Sequence, residues 1–342
     1  MHLTLNPCKL HPKSQTLYMM TVCETHANLD WAPWVSEQLN STQWTWSALA
    51  GDASARRYYR CYLDNHHYIL AVADPAQLSL KSTLDVNVEL ASHGIPVPHI
   101  YAYDLDCGLI LQEDLGDQTL WHQRHQSEQL PSQLSAALQI LNQWQSLPIT
   151  HWPKMDSAHL KEECRYLPQW FIPHRGIDWD LETQHQYEIL CDHLIESIQP
   201  TQWVPIHRDF HSRNLMIHEE NLYVIDTQDA MMGHPLYDLA SLLGDGYLSL
   251  KDSEQHAYLQ IFYKQQHHAF NDFNHFQSLY ERISIQRYLK ILGIFARLAE
   301  RDHKPLYLKY IPNILNRIQT FIAHHEDLMA LSNLPGLFSC KR

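Results

Sequence analysis

Residues 203–243 read WVPIHRDFHSRNLMIHEENLYVIDTQDAMMGHPLYDLASLL. Within them His207, Asp209 and Asn214 are followed, twelve residues after the Asn, by Asp226. Residues 203–206 form a short apolar run that predicts an approach strand. Residues 214–217 and 222–225 predict two more short strands, with Glu219, Glu220 and Asn221 as the polar turn between them. Such a hairpin places Asp209 and Asn214 in the loop before its first strand and Asp226 at the exit of its second. The three side chains can then meet without unusual backbone geometry. Together they are what phosphoryl transfer requires. A loop Asp accepts a hydroxyl proton, an Asn five residues on holds Mg²⁺, and a strand-end Asp holds it from the other side. Each residue alone is an ordinary turn residue. The signal lies in the combined spacing, with His207 and Arg208 in front.

The composition narrows the classes. The chain has 342 residues, 45% hydrophobic and 18% charged, enough for one large domain or two lobes with sizeable cores. Its 25 Lys and Arg against 38 Asp and Glu give a net charge of −13. Nucleic acid is therefore not expected as the main partner, because phosphate binding needs clustered basic residues. ATP is not excluded, since a bound metal offsets its charge locally. The 25 His are scattered and are expected mostly at the surface. The Cys count of 7 is odd and no CxxC occurs, so neither a disulfide framework nor a zinc site is expected and a reducing, cytoplasmic setting is. No run of 18 apolar residues is present, which excludes a transmembrane helix. Residues 1–20 differ from the rest and are expected to be a disordered extension, with Met19 or Met20 as an alternative start.

The periodicity divides the chain in two. Residues 30–39 predict an opening helix, and residues 44–49, 57–63, 67–72, 99–103 and 108–112 predict five antiparallel strands. Residues 80–93 predict a helix with Leu84, Val88 and Ala91 on one face, stopped by Gly94 and by Ile95-Pro96-Val97-Pro98. Glu113 to Asp117 read as a hinge. Beyond it the period becomes 3.6, in helices around Leu134–Trp144, Tyr187–Ile198, Phe276–Glu300 and Tyr307–Leu328. The expected class is α+β, a two-lobed protein-kinase-like fold. A small antiparallel β lobe over residues 21–113 binds nucleotide, and a larger, mainly helical lobe over 114–342 carries the catalytic loop and the acceptor site.

On these residues the chain resembles the aminoglycoside phosphotransferase/choline kinase superfamily. Within it, GDASARRYYR at 51–60, LILQEDLGD at 109–117, YLPQWF at 166–171, IHRDFHSRNLM at 206–216, VIDTQDA at 224–230, YDLASLL at 237–243 and QRYLKILGIFARLAERD at 286–302 are similar to the anomeric N-acetylmuramate/N-acetylglucosamine kinases of bacterial peptidoglycan recycling. The likeness spans about residues 30–330. It implies transfer from ATP, with Mg²⁺, to the C1 hydroxyl of a free amino sugar. It implies Asp209 as catalytic base, Asn214 and Asp226 as metal ligands, and Asp238 as a buried acceptor that braces the catalytic loop. Where the superfamily often has His-Gly-Asp, this chain has His207-Arg208-Asp209.

A Lys usually sits in the third strand to hold the α- and β-phosphates, but residues 68–74 read YILAVAD. Arg56, Arg57 and Lys81 are the candidates to replace it. Strand alternation lets only one of Arg56 and Arg57 face the cleft. Ser54 and its neighbouring N–H groups in the GDAS turn can cover the phosphates. Glu113 and Leu115 would lie at the adenine. For the acceptor, Gln228 and Asp229 follow the metal Asp, and Arg175 could meet a lactyl carboxylate. Trp170 and Phe171 are expected in the core, with stacking on a sugar face as the alternative. The expected partners are ATP and a small amino sugar, bound by a monomer. Rival readings are a kinase of the same fold acting on an aminoglycoside, choline or homoserine, and a non-catalytic nucleotide-binding protein.

Overall fold

The computed structural model describes residues 30–49, 56–76, 79–125, 128–248, 250–266 and 270–338. The proposed 1–20 extension and the GDAS turn, Ser54 included, lie outside them. The upper lobe is a five-stranded antiparallel sheet of β1 (Thr45–Leu49), β2 (Arg57–Leu63), β3 (His66–Val72), β4 (Ile100–Asp104) and β5 (Leu109–Glu113), in the order β1-β2-β3-β5-β4. Alternation gives the sheet two apolar faces. Tyr59, Cys61, Leu70 and Leu111 pack with Trp31, Val35 and Trp44 on the side of α1 (Ala32–Gln38). Ala71, Ala73 and Ile110 pack with Leu80 and Leu84 at α2 (Lys81–Ser92).

The face of α2 differs from the sequence expectation. Leu84, Val86, Asn87 and Leu90 are buried, whereas Val88 is 53% exposed and Ala91 is also exposed. A polar residue, Asn87, occupies the inner stripe, so the apolar periodicity pointed to the wrong neighbours.

The lower lobe holds α3 (Leu130–Gln145), α4 (Ser157–Cys164), α5 (Ile172–His174), α6 (Leu181–Ser197), α7 (Tyr237–Leu243), α8 (Asp252–Gln266), α9 (Phe273–Glu300) and α10 (Ile311–Ile322). Asp156, Asp180 and Asp272 cap α4, α6 and α9 by accepting backbone N–H groups of the first turn. The helix expected over 307–328 is broken. Residues 305–310 form a 3₁₀ stretch, α10 begins with Pro312 in its first turn, and residues 326–333 form another 3₁₀ stretch. Proline disfavours helical geometry in the residue before it, so the chain restarts there. No helix among the described residues is long and apolar enough to cross a membrane.

Two small sheets position the loop residues. β6 (Val204–Ile206) pairs with β9 (Met231–Gly233), and β7 (Leu215–His218) pairs with β8 (Asn221–Val224). The β7–β8 turn is Glu219–Glu220, with φ of 47° and 68°, a two-residue turn built without glycine. Helix α9 runs through the lobe interior, with Ile283, Tyr288, Leu289 and Leu292 all buried. It passes so close to the turn at residues 166–171 that a Cβ on Gly293 would lie 2.3 Å from the Tyr166 carbonyl. Gly293→Ala should therefore lower stability by about 3 kcal/mol through overpacking against backbone. Gly246→Ala, whose added carbon meets nothing nearer than 3.7 Å, should cost far less. Urea unfolding midpoints at unchanged m-value measure both.

Candidate active site

β6 delivers His207 and the loop that follows it. The Asp209 N–H donates to His207 Nδ1 at 3.2 Å, which leaves the imidazole proton on Nε2, and Nε2 donates to the Ile225 carbonyl at 2.9 Å. One ring thus ties the catalytic loop to the strand end that precedes Asp226. Asn214 donates Nδ2 to the Asp209 carbonyl at 3.0 Å, and the Ile225 N–H donates to the Asn214 carbonyl at 3.0 Å. Asp209, Asn214 and Asp226 are brought together as their spacing suggested.

Asp226 adopts φ 65°, ψ 43°, a left-handed conformation that Asp tolerates better than most residues. Its exposed carboxylate accepts Gln228 Nε2 at 2.6 Å. Asn214, with Nδ2 engaged, keeps Oδ1 as an acceptor. Two protein oxygens of this kind suit Mg²⁺, which favours one or two protein ligands beside phosphates and water. Among the described residues no group of three His, Cys, Asp or Glu could hold a metal without such help.

Behind the loop stands a buried polar layer. Asp238, fully buried in the first turn of α7, accepts the His207 N–H at 2.6 Å and the Arg208 N–H at 2.9 Å. Arg208 is held at φ 77°. Its guanidinium donates to Glu163 at 3.0 Å and its carbonyl accepts Arg287 Nη1 at 2.8 Å. Glu163 also accepts Lys290 at 2.7 Å, Tyr237 at 3.0 Å and Gln286 at 3.2 Å. Burial alone would raise the Glu163 pKa, but the Lys290 and Arg208 charges outweigh it and hold the group below its ordinary value. Burial pushes the Tyr237 phenol up to about 12, so it remains a donor. Asp209 follows the same pattern, with burial opposed by Lys290 and Arg287 and a net shift well below the carboxylate range. It is ionised at neutral pH.

The position of Glu163, Arg287 and Lys290 was not legible in the sequence. Gln286, Arg287 and Lys290 lie in the QRYLK stretch that served only as a mark of likeness, yet all three reach this layer. Their spacing of three and four residues along one helix was the available signal.

The remaining candidates divide. Arg56 is buried, 8% exposed, whereas Arg57 is exposed. Tyr58 hydrogen-bonds Arg56 and feels the charge of Asp226 as well, so Arg56 stands on the metal-loop side. Lys81 is exposed and pairs with Asp85 at 2.5 Å. The Glu113 carboxylate accepts the His99 N–H at 3.0 Å, and Leu115 is buried. Between them in the hinge, Asp114 meets Arg60 of β2 at 2.6 Å, and Arg60 also reaches Asp117 at 2.9 Å. Asp229 is exposed at the end of a 3₁₀ turn against which α2 packs. Phe171 is wholly buried and Trp170 packs on the core. Arg175 lies over Phe171 at 5.5 Å, next to His174, which bonds Glu300 at the far end of α9. It is not brought together with Asp209.

Asp209 and His211 open onto a cavity of about 180 Å³, walled by Tyr247, Ile291 and Phe295, with Arg287 and Lys290 on one side. Arg175, Gln228 and Asp229 do not line it.

Comparison with known proteins places this geometry. Residues 45–272 match the model of the phosphotransferase enzyme family. The chain is 33% identical over 294 residues to an N-acetylmuramate/N-acetylglucosamine kinase of Pseudomonas aeruginosa, spanning 83% of this chain and 86% of that protein. A kinase of the same name from Neisseria meningitidis serogroup B is 29% identical over 293 residues, spanning 82% and 87%. An ADP-bound aminoglycoside phosphotransferase superposes with a TM-score of 0.60 at 14% identity, over 86% of this chain and 99% of that one. A Plasmodium vivax ethanolamine kinase does so at 0.56 and 11%, over 84% of each. These two likenesses concern the fold alone.

Breaking the polar layer should be costly. Glu163→Gln should destabilise the protein by about 3–5 kcal/mol by stranding buried cations. Because the folded pKa of Glu163 lies below its ordinary 4.5, its contribution is present above 4.5 and fades as pH falls through the depressed value. Thermal melts from pH 7 to pH 3 should therefore show a shallower acid decline in Glu163→Gln than in wild type.

Proposed function

The chain belongs to the phosphotransferase enzyme family, and from that premise we propose that it transfers the γ-phosphoryl group of ATP to the anomeric C1 hydroxyl of N-acetylmuramate and N-acetylglucosamine, as a step of peptidoglycan recycling. The observation that carries this reading is the convergence of Asp209, Asn214 and Asp226 in a chain whose relatives bear that kinase name. ATP would lie in the cleft with its adenine against the backbone of Glu113–Leu115 and its phosphates toward Arg56. We assign Ser54, which lies outside the described residues, and Arg57 to the same phosphates. Asn214 Oδ1 and the Asp226 carboxylate would hold Mg²⁺, which neutralises phosphate charge when bound.

Asp209 receives the acceptor hydroxyl. Its depressed pKa makes it a weak base, so it orients the oxygen and takes the proton late, as suits a loose transfer. The charges of Lys290 and Arg287 keep that carboxylate ionised. The cavity suits one sugar ring better than a multi-ring acceptor, since pockets for drug-sized ligands run to roughly 300–1,000 Å³. Its charged lining balances Asp209 and Asp245 against Arg287 and Lys290, which disfavours a strongly cationic acceptor. Gln228 would steady Asp226 rather than face the sugar. Asp229 and Arg175 would contact an acceptor only if it extends beyond the cavity.

Incubation with ATP and either sugar should yield a sugar 1-phosphate, seen by ³¹P NMR; a 6-phosphate, or no turnover, overturns the reading. Asp209→Asn should lower kcat by about 10²–10⁴-fold while ATP still raises the Tm of the variant. Asp226→Asn should raise the Mg²⁺ concentration needed for half-maximal rate, and excess chelator should abolish activity in the wild type.

A further inference from the structure

The segment after the hinge carries a group of side chains that the transfer chemistry leaves unused. Trp121 docks on the catalytic loop, its backbone N–H donating to the Ser212 carbonyl at 3.1 Å. Arg124 lies 4.0 Å from the Trp121 ring centre and Arg213 lies 5.6 Å from it. Arg213 is also 5.2 Å from the Tyr247 ring and donates Nη1 to the Tyr307 hydroxyl at 2.9 Å. Tyr247 is a wall of the cavity that begins at Asp209, and its ring meets His211 at 5.6 Å. Arg213 immediately precedes Asn214. The basic group therefore adjoins the acceptor cavity at its Tyr247 wall.

These cations are gathered against their own repulsion. His122 is held below its ordinary pKa by burial and by the charges of both Arg124 and Arg213, which outweigh the opposing charge of Asp117. Among the described residues Arg124 makes one hydrogen bond, to the Trp121 carbonyl at 2.7 Å, and no ion pair. In a chain of net charge −13, clustered positive charge at the edge of a binding cavity is the complement of an anionic group on the ligand. A guanidinium laid on an aromatic ring keeps its plane fixed, which prepares it for two-pronged capture of a carboxylate. Trp121 supplies that platform, and its indole N–H is buried without an acceptor.

We propose that Arg124 and Arg213 bind the carboxylate of the acceptor and so set the preference between the two sugars. N-acetylmuramate carries a lactyl carboxylate on C3, and N-acetylglucosamine has a hydroxyl there. With C1 at Asp209, a C3 substituent that passes the Tyr247 wall would meet Arg213 and, across Trp121, Arg124. The inference rests on the sugar-kinase reading and replaces Arg175, which does not line the cavity.

Steady-state kinetics test it, with ATP and N-acetylmuramate, its neutral methyl ester or N-acetylglucosamine as acceptor, in wild type, Arg124→Gln and Arg213→Gln. The kcat/KM for N-acetylmuramate relative to N-acetylglucosamine should fall on the order of 10–100-fold in each variant, mostly through KM, the range for losing a charge-assisted hydrogen bond. Wild type should discriminate against the methyl ester, and the variants should discriminate much less. A ratio unchanged within about twofold overturns the proposal, whether both rates hold or both fall together. A rise confined to the KM for ATP overturns it too and assigns the pair to the nucleotide. Wild type that turns over neither sugar removes the functional premise instead, which separates that failure from this one.

Discussion

One buried carboxylate, that of Asp238, accepts the backbone N–H groups of both His207 and Arg208, and the loop that carries Asp209 depends on this pair of hydrogen bonds. Arg208 sits in left-handed backbone geometry, which costs a residue with a side chain about 1–2 kcal/mol. Two directed hydrogen bonds to a charged acceptor in a dry interior offset that cost and fix the peptide plane. With the plane fixed, the next residue, Asp209, has little freedom in where its side chain emerges. Burial raises the pKa of Asp238, and the two N–H donors together with Arg287 work against that rise.

The layer around Glu163 extends the constraint outward. Arg208, Lys290, Tyr237 and Gln286 converge on that single carboxylate, while Arg287 holds the Arg208 carbonyl and Ser241. Buried ionic groups of this kind add little net stability, because desolvation consumes most of the attraction. Their effect here is geometric. They couple α4, α7 and α9 to one loop, so the long interior helix holds the backbone from which Asp209 emerges. They also hold Asp209 ionised where burial alone would favour its neutral form.

The meeting of Asp209, Asn214 and Asp226 was legible because they are joined by a short hairpin, so spacing in sequence translated directly into position. The lobe division was legible because the period changes from two to 3.6. Glu163 was not, since it comes from a helix more than forty residues upstream and a single Glu announces nothing about burial. The inner face of α2 was misjudged because polar Asn87 is buried while Val88 and Ala91, expected to face inward, are exposed. The 307–328 helix was overextended because its apolar spacing continues across Pro312, and backbone geometry overrode it. Arg56 could be narrowed to one of a pair by alternation, but choosing between Arg56 and Arg57 required the sheet.

Arg60 has a mechanical consequence. It binds both Asp114 and Asp117, so the connecting segment through Asp117 is riveted to the upper sheet. One residue later the chain is fastened to the other body, where Gln118 accepts the Ile217 N–H and Leu120 donates to the Leu215 carbonyl. The connection between the lobes is thus not a flexible strap. Along this segment the tethers change sides at the Asp117–Gln118 link, and the two bodies are clasped a second time where α2 packs Val86 and Leu90 into the lower core and Pro96 accepts the Val224 N–H.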